Sequence, residues 1–155
     1  MAQHPDNRII FVSGGSRSGK SRYAEQRATA LSGQRSYIAT CPVIDEELEQ
    51  RIAHHRRQRA DQDWHTIEEP VDLLRALHDC RDSAVVLVDC LTLWLSNLMA
   101  AEHDIGGETD ALVAALAAAA GPVVVVTTID QVPALEMNSS TTPLSAIRPS
   151  PRVLS

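Results

Sequence analysis

Gly14-Gly15-Ser16-Arg17-Ser18-Gly19-Lys20-Ser21 follows directly on Arg8-Ile9-Ile10-Phe11-Val12, and this junction constrains the fold more than any other feature of the chain. It matches the phosphate-binding pattern G-x-x-x-x-G-K-S/T in its proper setting, a β-branched strand running into a glycine-rich turn that opens a helix. Glycines let backbone N–H groups close around phosphate oxygens, and the helix N-terminus adds partial positive charge. Lys20 is placed to reach the β- and γ-phosphates, and the Ser21 hydroxyl to hold Mg²⁺. The junction therefore implies a nucleoside triphosphate site on a strand–turn–helix frame.

The rest of the chain supplies the elements such a frame needs. Its 155 residues suit a single core. Strands are expected at Arg8–Val12, Ser36–Thr40, Trp64–Glu68, Ala84–Val88 and Val123–Thr127. Helices are expected at Lys20–Leu31, Asp45–Arg59 with Asp45 as N-cap, Asp72–Asp79, Leu91–Ala101 and Asp110–Ala120, the last preceded by a break at Gly106-Gly107. Ala84–Val88 and Val123–Thr127 are continuously apolar, as buried parallel strands are. The alternation predicts a doubly wound α/β domain over residues 1–127, mostly parallel, with helices on both faces. Residues 128–155 turn Ser/Thr/Pro-rich without periodicity and are expected to be a disordered tail.

Composition excludes several classes. A net charge of −6 leaves no basic excess for binding nucleic acid. Cys41, Cys80 and Cys90 form no C-x-x-C pair and suit reduced thiols in a cytoplasmic protein. Residues 1–7 are polar, unlike a signal core. The longest apolar stretch, Ala111–Val126, is interrupted by Gly121-Pro122 and is too short to span a membrane.

Two further signals bear on chemistry. Asp89, at the end of an apolar strand, is a candidate second Mg²⁺ ligand beside Lys20 and Ser21, although strand-terminal aspartates are common. Helix 45–59 carries Arg51-Ile52-Ala53-His54-His55-Arg56-Arg57-Gln58-Arg59. At about 3.6 residues per turn, Leu48, Ile52, His55 and Arg59 share one face and His54 points away. Two readings follow for the helix. Either His55 is oriented among arginines suited to phosphate, or it simply packs beneath the helix while the arginines form a solvated face.

Several segments appear together and in order: the phosphate loop through Arg22, then Tyr37-Ile38-Ala39-Thr40, Arg51-Ile52-Ala53-His54-His55-Arg56, Trp64-His65-Thr66-Ile67-Glu68-Glu69-Pro70, Val88-Asp89-Cys90-Leu91-Thr92 and Asn97-Leu98. In this the chain resembles the bifunctional adenosylcobinamide kinase and adenosylcobinamide-phosphate guanylyltransferase family of cobalamin biosynthesis. The resemblance implies a P-loop fold and two reactions: phosphorylation of adenosylcobinamide by ATP or GTP, then transfer of GMP from GTP through a guanylylated histidine. It implies His55 as that histidine and Lys20 as the other catalytic residue. It carries nucleotide contacts onto Gly14, Gly15, Ser16, Arg17, Ser18, Gly19, Lys20, Ser21, Ala39, Thr40, Cys41, Arg56, Arg57, Gln58, Arg59, Glu68 and Asp89. Mg²⁺ at Ser21 and Asp89 and a homo-oligomer, a trimer in this family, are implied as well. The family pattern continues after its last shared strand into Thr-Asn-Glu-Val-Gly, a helix and a final strand. Here Thr128-Ile129-Asp130 follows instead, so that helix and strand are expected to be missing and a sheet edge exposed. Two other functions remain open on the sequence: a small-molecule kinase without guanylyl transfer, and a non-catalytic nucleotide-binding remnant.

Overall fold

The valine-rich runs at 85–88 and 123–126 form the middle of one parallel sheet, and the other elements are arranged around them. The computed structural model describes residues 9–31, 33–42, 46–60 and 63–129. In chain order the elements are β1 (Ile9–Gly14), α1 (Lys20–Thr29), β2 (Arg35–Ala39), α2 (Glu46–Ala60), β3 (Trp64–Glu68), α3 (Leu73–Asp79), β4 (Val85–Asp89), α4 (Leu91–Ala100), α5 (Ile105–Ala117) and β5 (Val123–Thr128). The strands lie in the order β1-β5-β4-β2-β3 and every pairing is parallel. This is the expected α/β class, with the sheet wholly parallel among the described residues.

Period-two alternation assigns each strand's side chains to one of two cores. Val86, Val88, Val123 and Val125 meet Trp94, Leu98, Leu112 and Leu116 of α4 and α5 on one face. Val85, Leu87, Val124 and Val126 meet Ala24 and Ala28 of α1 on the other. Both faces are thus covered, which explains why β4 and β5 are apolar throughout. Asp72 caps α3, its carboxylate accepting from the Arg75 amide at 3.1 Å.

One expectation needs correction. Gly106-Gly107 does not break the chain before a helix but lies in the first turn of α5. A side chain at Gly107 would stand 2.6 Å from the Asp104 carboxylate, so the glycine makes room for the residue that begins the helix. α5 also ends three residues earlier than expected, at Ala117, and the remaining boundaries differ by at most two residues, with β5 running through Thr128. Arg8, Asp45 and the tail Pro133–Ser155 lie outside the described residues.

Among the described residues no strand lies beyond β1. Among these residues its outer edge has no strand partner, and Phe11 on it is 60% exposed.

Candidate nucleotide and guanylyl-transfer site

The carboxyl ends of the parallel strands converge on one rim of the sheet, where ligands of open α/β folds bind. β1 delivers the phosphate loop to this rim. Arg17 and Gly19 take positive φ values of 59° and 81°, folding Gly15–Gly19 back over the start of α1. An added Cβ at Gly14 would come 2.6 Å from Ser18 Oγ, so a larger residue there would turn the serine out of its present place in the loop. Lys20 Nζ donates to the Gly15 carbonyl at 2.9 Å, so the ammonium lies against the loop it serves. Gly14, Ser18, Gly19 and Lys20 line a cleft of about 460 Å³, open towards Tyr23. Gly15 and Ser21 are half-buried, and Ser16 and Arg17 are exposed. Such a cradle presents N–H groups, a helix N-terminus and a mobile cation to a phosphate chain.

β4 brings Asp89 to the same rim, next but one to β1 and directly beside β2. The Tyr37 hydroxyl on β2 donates to Asp89 Oδ2 at 2.5 Å. The Arg59 guanidinium, buried at the end of α2, stacks over the Tyr37 ring at 3.8 Å, and its Nε donates to Thr66 Oγ1 at 3.4 Å. Glu25, one turn beyond Ser21 on α1, feels both Arg59 and Asp89. Burial pushes its carboxyl up from the usual range, Arg59 opposes the rise and Asp89 adds to it. Sequence reasoning missed Tyr37 and Glu25. The first sat unremarked inside a matched segment, and Glu25 follows Ser21 by four residues, the spacing of a shared helical face.

Burial foremost, and then the Asp89 charge and hydrogen bond, push the Tyr37 phenol well above its ordinary value. It is therefore a protonated donor across neutral pH, and the stability tied to that proton is present below about pH 10 and lost as pH rises further. Tyr37→Phe is expected to destabilise the protein by about 1.5–3 kcal/mol, the usual contribution of a hydrogen bond to a charged group. Urea unfolding at pH 7 measures it, and an unchanged midpoint would remove Tyr37 from this network.

Ala39 and Thr40 are buried where β2 ends. Thr40 has all its polar atoms engaged within the chain. Its amide donates to Asp89 O at 3.0 Å, its hydroxyl donates to Cys90 O at 2.7 Å and accepts from Cys90 N at 2.9 Å, and its carbonyl accepts from Asn97 Nδ2 at 2.8 Å. Thr40 thus shapes the rim, leaving half-buried Cys41 as the more accessible neighbour.

α2 packs along β3 chiefly through its final turn, where Arg59 is buried. Leu48 and Ile52 are half-buried, but His55 on the same stripe is exposed, as is His54, and the two rings stand 5.9 Å apart. His55 is therefore not packed beneath the helix, as one reading of the sequence expected. Arg56 pairs with Glu68 at 3.6 Å, and these two with Arg57, Glu49, Ile52 and Ala53 line a groove of about 290 Å³. Gln58 is exposed beside it. The rim therefore gathers the predicted residues into two groups, one at the phosphate loop and one along α2. Asp89, Tyr37 and Arg59 lie between them.

Ser21 hydroxyl and Asp89 carboxylate are hard oxygen donors, and a pair of them suits Mg²⁺ completed by water and phosphate oxygens. No helix among the described residues is long and apolar enough to cross a membrane.

The sequence model of a family described as CobU, cobinamide kinase / cobinamide phosphate guanyltransferase, matches residues 10–137, which takes in both groups. The chain belongs to the CobU family. Curated relatives include the bifunctional adenosylcobalamin biosynthesis protein CobP of Pseudomonas aeruginosa, 41% identical over 119 residues, covering 75% of this chain and 68% of the relative. The CobU proteins of Escherichia coli and Salmonella typhimurium are 42% and 41% identical, each over 66% of this chain and 54% of their own length. This CobU-family chain thus matches between 54% and 68% of the length of those relatives.

Proposed function

We propose that the chain phosphorylates adenosylcobinamide with ATP or GTP and then transfers GMP from GTP to the phosphorylated product. The phosphate loop, with Lys20 Nζ 2.9 Å from Gly15 O at the mouth of a cleft in a CobU-family chain, carries this reading. The names of the relatives, bifunctional proteins of adenosylcobalamin biosynthesis, support the choice of substrate.

In the first reaction the corrinoid hydroxyl oxygen bonds to the γ-phosphorus, the bond to the leaving diphosphate breaks, and the hydroxyl proton passes to solvent water. Loop amides and Lys20 hold the phosphate chain and take up charge that develops on it. Mg²⁺ held by Ser21 and Asp89 would supply further charge neutralisation on the phosphates. Tyr37 keeps the Asp89 carboxylate in place.

In the second reaction a neutral ring nitrogen of His55 bonds to the α-phosphorus of GTP and pyrophosphate leaves. The phosphate oxygen of the corrinoid then displaces the histidine, which regains its lone pair. Exposure of His55 suits a nucleophile that must meet two bulky substrates in turn, and Arg56, Arg57 and Arg59 are nearby cations for the transferring phosphate. Glu68, exposed beside the α2 groove, is assigned to the same nucleotide. A homo-oligomer, trimeric as the resemblance implies, is part of this reading, as is a cytoplasmic location.

Incubation with adenosylcobinamide, γ-labelled ATP and Mg²⁺ should place label on the corrinoid, and subsequent GTP should release pyrophosphate. A second reading is a GTP-binding chain without turnover, which the unpaired outer edge of β1 among the described residues favours. GTP binding with no label on the corrinoid would establish that second reading.

A further inference from the structure

We propose that Asn97 is a positioning residue that locks together the two rim segments carrying the guanine-nucleotide contacts. This rests on the function proposed above. Its Nδ2 donates to Thr40 O and to Pro70 O, each at 2.8 Å. A primary amide has two hydrogens, and both are used, one on each segment.

The two partners have a specific place in the chain. Thr40 is the first residue after β2, between Ala39 and Cys41 and shortly before α2. Pro70 follows β3 by two residues, immediately after Glu68-Glu69. The amide of Glu69 donates to Ala39 O at 2.9 Å, giving the pair of segments a second tie. The chain that leaves at Thr40 runs through α2 and returns along β3, so Asn97 grips both ends of the histidine-bearing excursion.

α4 is itself well held. Trp94, fully buried one turn before, donates from Nε1 to Val71 O at 2.8 Å, so α4 grips the segment after β3 at two points. At its start Thr92 Oγ1 donates to Thr128 O at 3.0 Å and accepts from Thr128 N at 2.9 Å, fixing the helix to β5. Asn97 therefore refers both rim segments to the sheet centre. Without its two donors the Glu69–Ala39 bond and the β2–β3 ladder still join the segments. Thr40 and Pro70 nevertheless lose their tie to α4 and can shift at the rim, where a displacement of about 1 Å at a reacting group can lower a rate roughly 100-fold.

The test compares Asn97→Leu, which removes both donors, with Asn97→Gln, which retains them on a longer stem. Binding of tripolyphosphate reads the phosphate loop alone, GTP binding reads the whole site, and α-labelled GTP reads guanylylation. For Asn97→Leu the tripolyphosphate Kd should stay within about twofold, the GTP Kd rise about tenfold, and the adduct rate per folded molecule fall about 10–100-fold. Asn97→Gln should recover part of both losses. A lower melting temperature with an unchanged GTP Kd would reduce Asn97 to a structural role and overturn the proposal. Should Asn97→Leu fail to fold, Asn97→Ser provides the same comparison. If the wild-type chain forms no adduct, the guanylyl-transfer reading fails, while the ratio of GTP to tripolyphosphate affinity still decides the role of Asn97.

Discussion

Lys20→Ala is expected to weaken triphosphate binding about 10–100-fold and to lower phosphoryl transfer by roughly 10²–10³. The first figure follows from losing a charge-assisted hydrogen bond of about 1.5–3 kcal/mol, at about 1.4 kcal/mol for each factor of ten. The second follows from losing a donor aimed at charge that grows in the transition state. The fold should survive, since among the described residues the ammonium's partner is the Gly15 carbonyl on a half-buried loop, which water can satisfy. Calorimetric titration with a non-hydrolysable GTP analogue checks the binding. Unchanged affinity would mean that triphosphate binds elsewhere.

His55→Ala is expected to abolish the covalent GMP adduct while leaving corrinoid phosphorylation within about threefold of wild type. The two effects separate because the phosphate loop and Asp89 lie on β1 and β4, whereas His55 lies on the exposed middle turn of α2. His54→Ala should retain both activities. Both imidazoles are accessible, so exposure does not choose between them, and the family resemblance selects His55. An acid-labile label that persists in His55→Ala and disappears in His54→Ala would reverse the assignment. No label in any variant, with GTP still bound, would remove guanylyl transfer from the proposed function.

The fold was legible wherever one physical requirement dominated the local sequence. Unbroken apolar sequence at 85–88 and 123–126 admits little but a buried parallel strand, and glycine-lysine-serine after β1 admits little but a phosphate turn. Gly106-Gly107 misled because glycine's helical penalty is modest in a first turn and was outweighed there by the need to accommodate Asp104. The angular position of His55 on α2 was right, yet its burial was not. A helical period gives the direction of a side chain, not which turns have anything beneath them. Arg59 was read as one more phosphate-binding cation in a basic run. Its stacking on Tyr37 depends on a β2 partner 22 positions earlier in sequence, which no local pattern reveals. The two bonds of Asn97 span 57 and 27 residues and were invisible for the same reason.

The strand order has a consequence for how such a site can vary. β5 and β4 stand between β1 and β2, so the phosphate loop and the exit towards α2 are three strand spacings apart, about 14 Å across the rim. Side-chain substitutions adjust what lines that distance but leave the distance itself untouched. Lengthening a loop leaves it untouched as well. Only gaining or losing a whole strand would change it, in steps of about 4.8 Å. The span between the phosphate loop and the end of β2 is thus quantised by the hydrogen-bonded ladder, a fixed gauge for any substrate that bridges those two strand ends.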